Sequence, residues 1–364
     1  MKDIRIETIR ATAIYLVILI HFCNYYLSPL EAVYTGNYLI ALFYNISARI
    51  SVPLFFMISG AVGLKKDFSF KKNKRKITHM LIVLVLWSII YYLWNYFFLG
   101  RDMLSVNVFN FLFDPLKNHL WYMYAYIGLL IVQPFTALLA KHMKPVHENY
   151  FIIAWLLLCG GIKMADCLFD YMDITANLKY KIPIIQGTYY FGYYLCGHIL
   201  YKRLTQKKQF DKYSKNIKAS LSDSLLNLKT VYYLFTAAVS IIICFALTAY
   251  ISVEITHTME KPIFGYSSLL IMIPTLCMFI AFIKFTPPHG NFKICKKIIA
   301  AVGNTSFGIY LSHLIFFSIL YTYADIRSLD SAYALPLLSV LILIVSHIFV
   351  EITKRIPFIN KYLY

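Results

Sequence analysis

Arg10 and His21 are the residues whose types and spacing suit chemistry most directly. They stand eleven residues apart in the apolar run 4–22. On an α-helix that separation is a rise of about 16 Å and a net rotation of about 20°, so both side chains share one face. An imidazole can take a proton from a hydroxyl near neutral pH. A guanidinium can hold an anion through charge-assisted hydrogen bonds. If this helix crosses a bilayer, Arg10 falls at an interface and His21 near the midplane. There an ionisable group marks either a functional site or a histidine satisfied by a neighbouring helix. Glu7, three residues before Arg10, is placed to pair with it and fix its rotamer. An orienting group for His21 has to come from another element.

Further candidates lie downstream. Arg49 falls near the middle of a second apolar run, so it must face the bundle interior, a cavity or an acidic partner. Pro53 follows it and opens backbone carbonyls inside that helix. Ser59 and Gly60 read first as small residues at a helix contact, with Ser59 a secondary site candidate. The run 70–77 holds Lys71, Lys72, Lys74, Arg75 and Lys76. Such a run is either a topology signal or an anion trap at a helix start. Trp121 offers a ring that could stack on a sugar or an adenine. His313 lies inside a late apolar run and is either a site residue or a packed histidine. His119 begins a helix at the outer interface, where it is either an acceptor contact or an ordinary helix-start residue. His198 and His347 read as structural. The seven cysteines are scattered, with no metal-ligand spacing, so neither a metal site nor a disulfide framework is expected.

The elements that must position these residues are membrane helices. The 364-residue chain is 60% hydrophobic and only 14% charged, with a mean hydropathy of +0.63. That composition excludes an ordinary soluble domain. Ten apolar runs are long enough to span: 8–28, 38–64, 78–99, 119–140, 150–168, 185–200, 231–252, 264–285, 301–323 and 333–353. They are continuous rather than alternating, which excludes a β-barrel. The expected fold is therefore all-α and polytopic. It forms one integral membrane domain over residues 1–364, with its core at about residues 5–350.

The loop charges set the orientation. Lys2, Arg5, Arg10, the 65–76 cluster, Lys141, Lys144, the 202–229 loop, Lys284, Lys293, Lys296, Lys297, Lys354, Arg355 and Lys361 fall on one side. Glu31, Asp102, Asp114, Asp166, Asp170, Asp173, Glu254, Glu260, Asp325 and Asp330 fall on the other. The positive-inside rule then makes both termini cytoplasmic in a multi-pass plasma-membrane protein. A net charge of +18 spread over loops points to anionic lipid surfaces and not to nucleic acid.

The motifs together resemble acyltransferase family 3, a family of integral membrane acyltransferases. The resemblance is carried by Glu7-Thr8-Ile9-Arg10 with His21, and by Val52-Pro53-Leu54-Phe55-Phe56-Met57-Ile58-Ser59-Gly60. It continues through His119-Leu120-Trp121-Tyr122, Tyr190-Phe191-Gly192-Tyr193-Tyr194-Leu195-Cys196-Gly197 and Ser306-Phe307-Gly308-Ile309-Tyr310-Leu311-Ser312-His313. The family usually carries an Arg-x-x-Arg pair after the second helix, and Lys72-Asn73-Lys74-Arg75 is the nearest match here. The resemblance implies transfer of an acyl group, commonly acetyl, from cytoplasmic acyl-CoA. The acceptor it implies is a hydroxyl of a cell-surface polysaccharide or lipid-linked sugar precursor. In that reading Arg10, Lys72 and Arg75 meet the CoA phosphates, and His21 with Arg10 serves the chemistry. The rivals are a polytopic transporter or flippase for a glycan or lipid precursor, and a non-catalytic partner on the same fold.

Overall fold

The computed structural model describes residues 3–28, 35–64, 67–100, 115–172, 189–206, 225–256, 263–285 and 293–364. Among them every regular element is helical. α1 covers Ile4–Leu27, α2 Gly36–Ala48, α3 Ser51–Gly63 and α4 Phe70–Phe97. α5 covers Trp121–His142, and α6 (Pro145–Trp155) runs through a π-helical segment, Leu156–Gly161, into α7 (Ile162–Tyr171). Next come α8 (Tyr189–Thr205), α9 (Thr230–Tyr250) and α10 (Leu269–Lys284). The chain closes with α11 (Lys293–Tyr323), α12 (Ser331–Thr353) and α13 (Pro357–Leu363).

Eight described segments are long and apolar enough to cross a bilayer: α1, α2 with α3, α4, α5, α6 with α7, α9, α11 and α12. The chain is a multi-pass membrane protein. The other two expected spans correspond to α8, with 17 residues, and α10, with 16. Residues 185–188 of the expected sixth span lie outside the described residues. So do Lys2, Lys65, Lys66, Glu31, Asp102, Asp114, Asp173, Glu260 and much of the 202–229 loop. Helices suit this setting because they satisfy their backbone groups internally. Their outer faces are apolar: Phe135 is 75% exposed and Phe235 67%. Such a surface would aggregate in water and is what lipid requires.

The residues form two compact units. Unit 1 comprises Met1–Lys66, Ala140–Asn304 and Ile326–Val340. Unit 2 comprises Asp67–Leu139, Thr305–Asp325 and Leu341–Tyr364. Within unit 1, α3 and α8 meet backbone to backbone. A Cβ on Gly60 would lie 1.7 Å from the Tyr194 carbonyl oxygen, and one on Gly197 would lie 2.1 Å from that of Met57. Only glycine permits this approach, so Gly60 is a packing residue.

The expected single helix over 38–64 is two helices, interrupted at Arg49 and Ile50. Pro53 sits in the first turn of α3, where a missing N–H does little harm. The prolines within α5, α10 and α12 are different. Pro134, Pro274 and Pro336 each leave the carbonyl four residues earlier without its helical donor. In every case a side chain from another helix supplies one. Asn73 Nδ2 donates to the Leu130 carbonyl at 2.8 Å, Ser240 Oγ to Leu270 at 3.2 Å, and the Tyr44 hydroxyl to Ala332 at 3.0 Å. An acceptor that lipid could not satisfy becomes an interhelical tie.

Candidate functional site

The N-terminal end of α1 is held by ion pairs in unit 1. Asp3 caps the helix by accepting from the Arg5 backbone N–H at 3.1 Å. Its carboxylate also takes the Arg5 guanidinium fork at 2.9 and 2.7 Å and the Tyr201 hydroxyl at 2.9 Å. Burial pushes the Asp3 carboxyl up, and these bonds outweigh it, holding the group below its ordinary value. One turn on, Arg10 donates to Glu7 at 2.9 Å, as the i,i+3 spacing predicts. The Glu7 side chain is 3% exposed and that of Arg10 28%. Room for the carboxylate comes from Gly303, where a Cβ would lie 2.6 Å from Glu7 Oε2. Arg10 is thus oriented by a buried acid while its guanidinium stays accessible.

Further along α1, His21 is half-buried. Asn24 follows one turn later. Asn24 Oδ1 accepts from Asn45 Nδ2 at 2.9 Å, and Asn45 Oδ1 accepts from Arg49 Nε at 2.9 Å. The Arg49 guanidinium lies 4.9 Å from the centre of the Phe264 ring and 5.4 Å from that of Tyr266. Of the three settings open to Arg49, an acidic partner is absent among the described residues. Ser59 is half-buried on α3, next in sequence to Gly60.

In unit 2 the basic run forms the first turns of α4. Lys71, Lys72, Lys74, Arg75 and Lys76 line an open groove of about 740 Å³ with Thr78, His79, Ile82, Lys361 and Tyr362. Among the described residues no carboxylate lines it. Two residues of the run are committed elsewhere: Asn73 bonds the Leu130 carbonyl, and Lys76 Nζ lies 5.0 Å from the centre of the Tyr126 ring. Lys72 and Arg75, three apart on one helix face, are exposed. Lys361 reaches the groove because α13 folds back onto α4, where Trp87 Nε1 donates to the Leu363 carbonyl at 3.1 Å. In the sequence Lys361 reads only as a topology signal, and no local signal links it to residues so distant.

Other candidates are placed differently. Trp121 opens α5, half-buried, and makes an edge contact with Tyr122. His313 is fully buried, and its Nδ1 donates to the Tyr310 and Ile309 carbonyls at 2.7 and 3.1 Å. Since both partners are carbonyls, Nδ1 carries the proton. Its ring centre is 5.4 Å from that of His119, which also packs against Tyr91 and Tyr310. His119 is 4% exposed, so the expected interfacial position gives way to a buried aromatic box. His347 pairs with Thr305 at 2.8 Å. One cluster was not foreseen: Glu148, 1% exposed, binds both Lys202 and Arg203 of α8, the latter at 2.7 Å. It clamps α6 to α8, and no local spacing links it to partners 54 and 55 residues away.

Compared with known families, residues 3–351 match the model of an acyltransferase domain, Acyl_transf_3. The chain belongs to acyltransferase family 3. No curated protein matches it, and no solved structure does. Membership covers Arg10, His21, Arg49, Lys72 and Arg75, while Lys361 and Tyr362 of the groove stand beyond the matched residues. This membrane acyltransferase therefore gathers its candidate residues in two places. Glu7, Arg10, His21 and the Asn24–Asn45–Arg49 chain belong to unit 1, and Lys72 with Arg75 to unit 2.

Proposed function

We propose that the protein transfers an acyl group, acetyl in the simplest case, from cytoplasmic acyl-CoA to a hydroxyl of a cell-surface polysaccharide or lipid-linked sugar precursor. The observation that carries the donor half is the basic groove at the start of α4, lined by no acid among the described residues. Coenzyme A presents several phosphate charges, and lysine and arginine without competing carboxylates are the groups that hold them. Lys72 and Arg75 fill that role, aided by Lys361. Arg10 supplies a further cation, aimed by Glu7.

The acceptor hydroxyl is a poor nucleophile until its proton is removed. His21 is the base in this reading. Its ring takes the proton as the acceptor oxygen bonds to the thioester carbonyl carbon. When the C–S bond breaks, the imidazolium returns that proton to the departing thiolate. A site inside the helices also keeps bulk water from hydrolysing the thioester. The charge bias of the loops supports a plasma-membrane protein with both termini in the cytoplasm, the compartment of the donor.

Two experiments test this. The purified protein, given radiolabelled acetyl-CoA and membranes of the source cells, should release CoA thiol and label a carbohydrate or lipid-linked fraction. Unconsumed thioester, or label left as free acetate, would defeat the reading. A reporter fused after Tyr364 should be active only as a cytoplasmic fusion, and activity on the outer side would reverse the orientation.

A further inference from the structure

Arg49 stands apart from the other deep cations of unit 1. Arg203 has a buried carboxylate, and Arg5 and Arg10 have Asp3 and Glu7. Arg49 lies at the middle of the 28-residue apolar segment Gly36–Gly63, where an uncompensated charge is most unfavourable. Of the five N–H donors of a guanidinium, only Nε–H has an acceptor among the described residues, the Asn45 side chain. The rings of Phe264 and Tyr266 favour the cation but accept no conventional hydrogen bond. The group is half-buried and not sealed in the core.

Its position is also fixed. Arg49 caps the end of α2, where its own N–H bonds the Ile46 carbonyl at 3.2 Å. Asn45 aligns Nε, and Asn24 aligns Asn45, at 2.9 Å each. Asn24 is one turn from His21, a rise of about 4.5 Å. One chain of polar side chains therefore ties an under-bonded cation to the helix turn that carries the proposed base.

We propose that Arg49 receives the negative charge that develops on the thioester carbonyl oxygen. This rests on the acyl-transfer reading above. As the acceptor oxygen bonds to the carbonyl carbon and its proton passes to His21, the C=O π pair moves onto the oxygen. An Arg49 N–H donates to it there. Re-forming the C=O expels the CoA thiolate, which takes the proton back from the imidazolium. A cation already oriented in a poorly solvated site stabilises such charge without reorganising at the moment of reaction.

The test compares wild type, Arg49→Gln and Arg49→Lys in the full chain. Label transfer from acetyl-CoA is measured with source-cell membranes as acceptor, and thermal unfolding in detergent is followed with and without acetate as a small anionic probe. Arg49→Gln should lower turnover at saturating donor by about 10²–10³-fold, leave the donor KM unchanged, and unfold no earlier than wild type. Arg49→Lys should recover part of the rate. Acetate should raise the unfolding temperature of wild type and not of Arg49→Gln. Turnover of Arg49→Gln that equals wild type, or that falls only with the folded fraction, overturns the inference and leaves acyl transfer standing. If wild type itself transfers no label, the acyl-transfer reading fails and the acetate arm decides. An Arg49-dependent shift keeps an anion site at Arg49, and its absence removes that too.

Discussion

The ion-paired cations of unit 1 and the groove cations of unit 2 are held in opposite ways. In unit 1 four cations sit beside acids: Arg5 with the part-exposed Asp3, Arg10 with the buried Glu7, and Lys202 and Arg203 with the buried Glu148. Those pairs set rotamers and join helices. In unit 2 the cations of α4 and Lys361 crowd a groove that no carboxylate among the described residues lines. Like charges held together without acids are unfavourable unless an anionic ligand meets them. The contrast teaches that net charge alone does not locate function. What matters is which cations already have a partner, and by that measure the unit 2 groove and Arg49 are two places open to substrate.

The same device serves both units with different consequences, and mutations can separate them. The largest effect belongs to the α3–α8 contact of unit 1. Gly60→Ala drives a Cβ into the Tyr194 carbonyl, which cannot move aside. Overpacking of this kind costs about 1–3 kcal/mol or more. The expected outcome is loss of folded, monodisperse protein, measured by size-exclusion chromatography in detergent, and a normal yield would refute the contact.

Next is Asn73→Ala in unit 2. It returns the Leu130 carbonyl to an unsatisfied state and should cost about 0.6–2 kcal/mol of stability. It should also weaken acetyl-CoA binding several-fold, because Asn73 fixes the helix face that presents Lys72 and Arg75. In a Pro134→Ala background the restored helical N–H of residue 134 can serve Leu130, so the stability cost of Asn73→Ala should shrink. An equal cost in both backgrounds would show that the proline is not what Asn73 compensates.

The smallest effects are those of Ser240→Ala and Tyr44→Phe. These remove the corresponding ties to Leu270 and Ala332 in unit 1. Each should cost about 0.6 kcal/mol and leave donor affinity alone. A donor-affinity change as large as that of Asn73→Ala would erase the distinction between the units.

Much of this was legible in the sequence. Apolar runs announce membrane helices because lipid leaves the backbone few alternatives. The Glu7–Arg10 pair follows from i,i+3 spacing, and Lys72 with Arg75 from sharing one face of α4. The break at Arg49 was hidden because the run 38–64 is apolar throughout and Pro53 drew attention four residues too late. The burial of His119 was hidden because its neighbours Tyr91, Tyr310 and His313 come from other helices. The task of Asn73 depends on a carbonyl 57 residues away, and that of Lys361 on the folding back of α13. Local spacing shows what one helix presents and does not show what meets it.

The central claim is that His21 does the chemistry and that Lys72 and Arg75 hold the donor phosphates. One paired measurement tests it most directly: turnover at saturating acetyl-CoA and acetyl-CoA dissociation constant, per folded molecule, for His21→Gln and for Lys72→Gln with Arg75→Gln. His21→Gln should cut turnover by about 10²–10⁴-fold with donor affinity nearly unchanged. The groove variant should raise the dissociation constant by about ten-fold or more for each residue lost, while turnover at saturation is retained. Turnover of His21→Gln above about a tenth of wild type, well short of what a general base contributes, or unchanged donor affinity in the groove variant, would contradict the account.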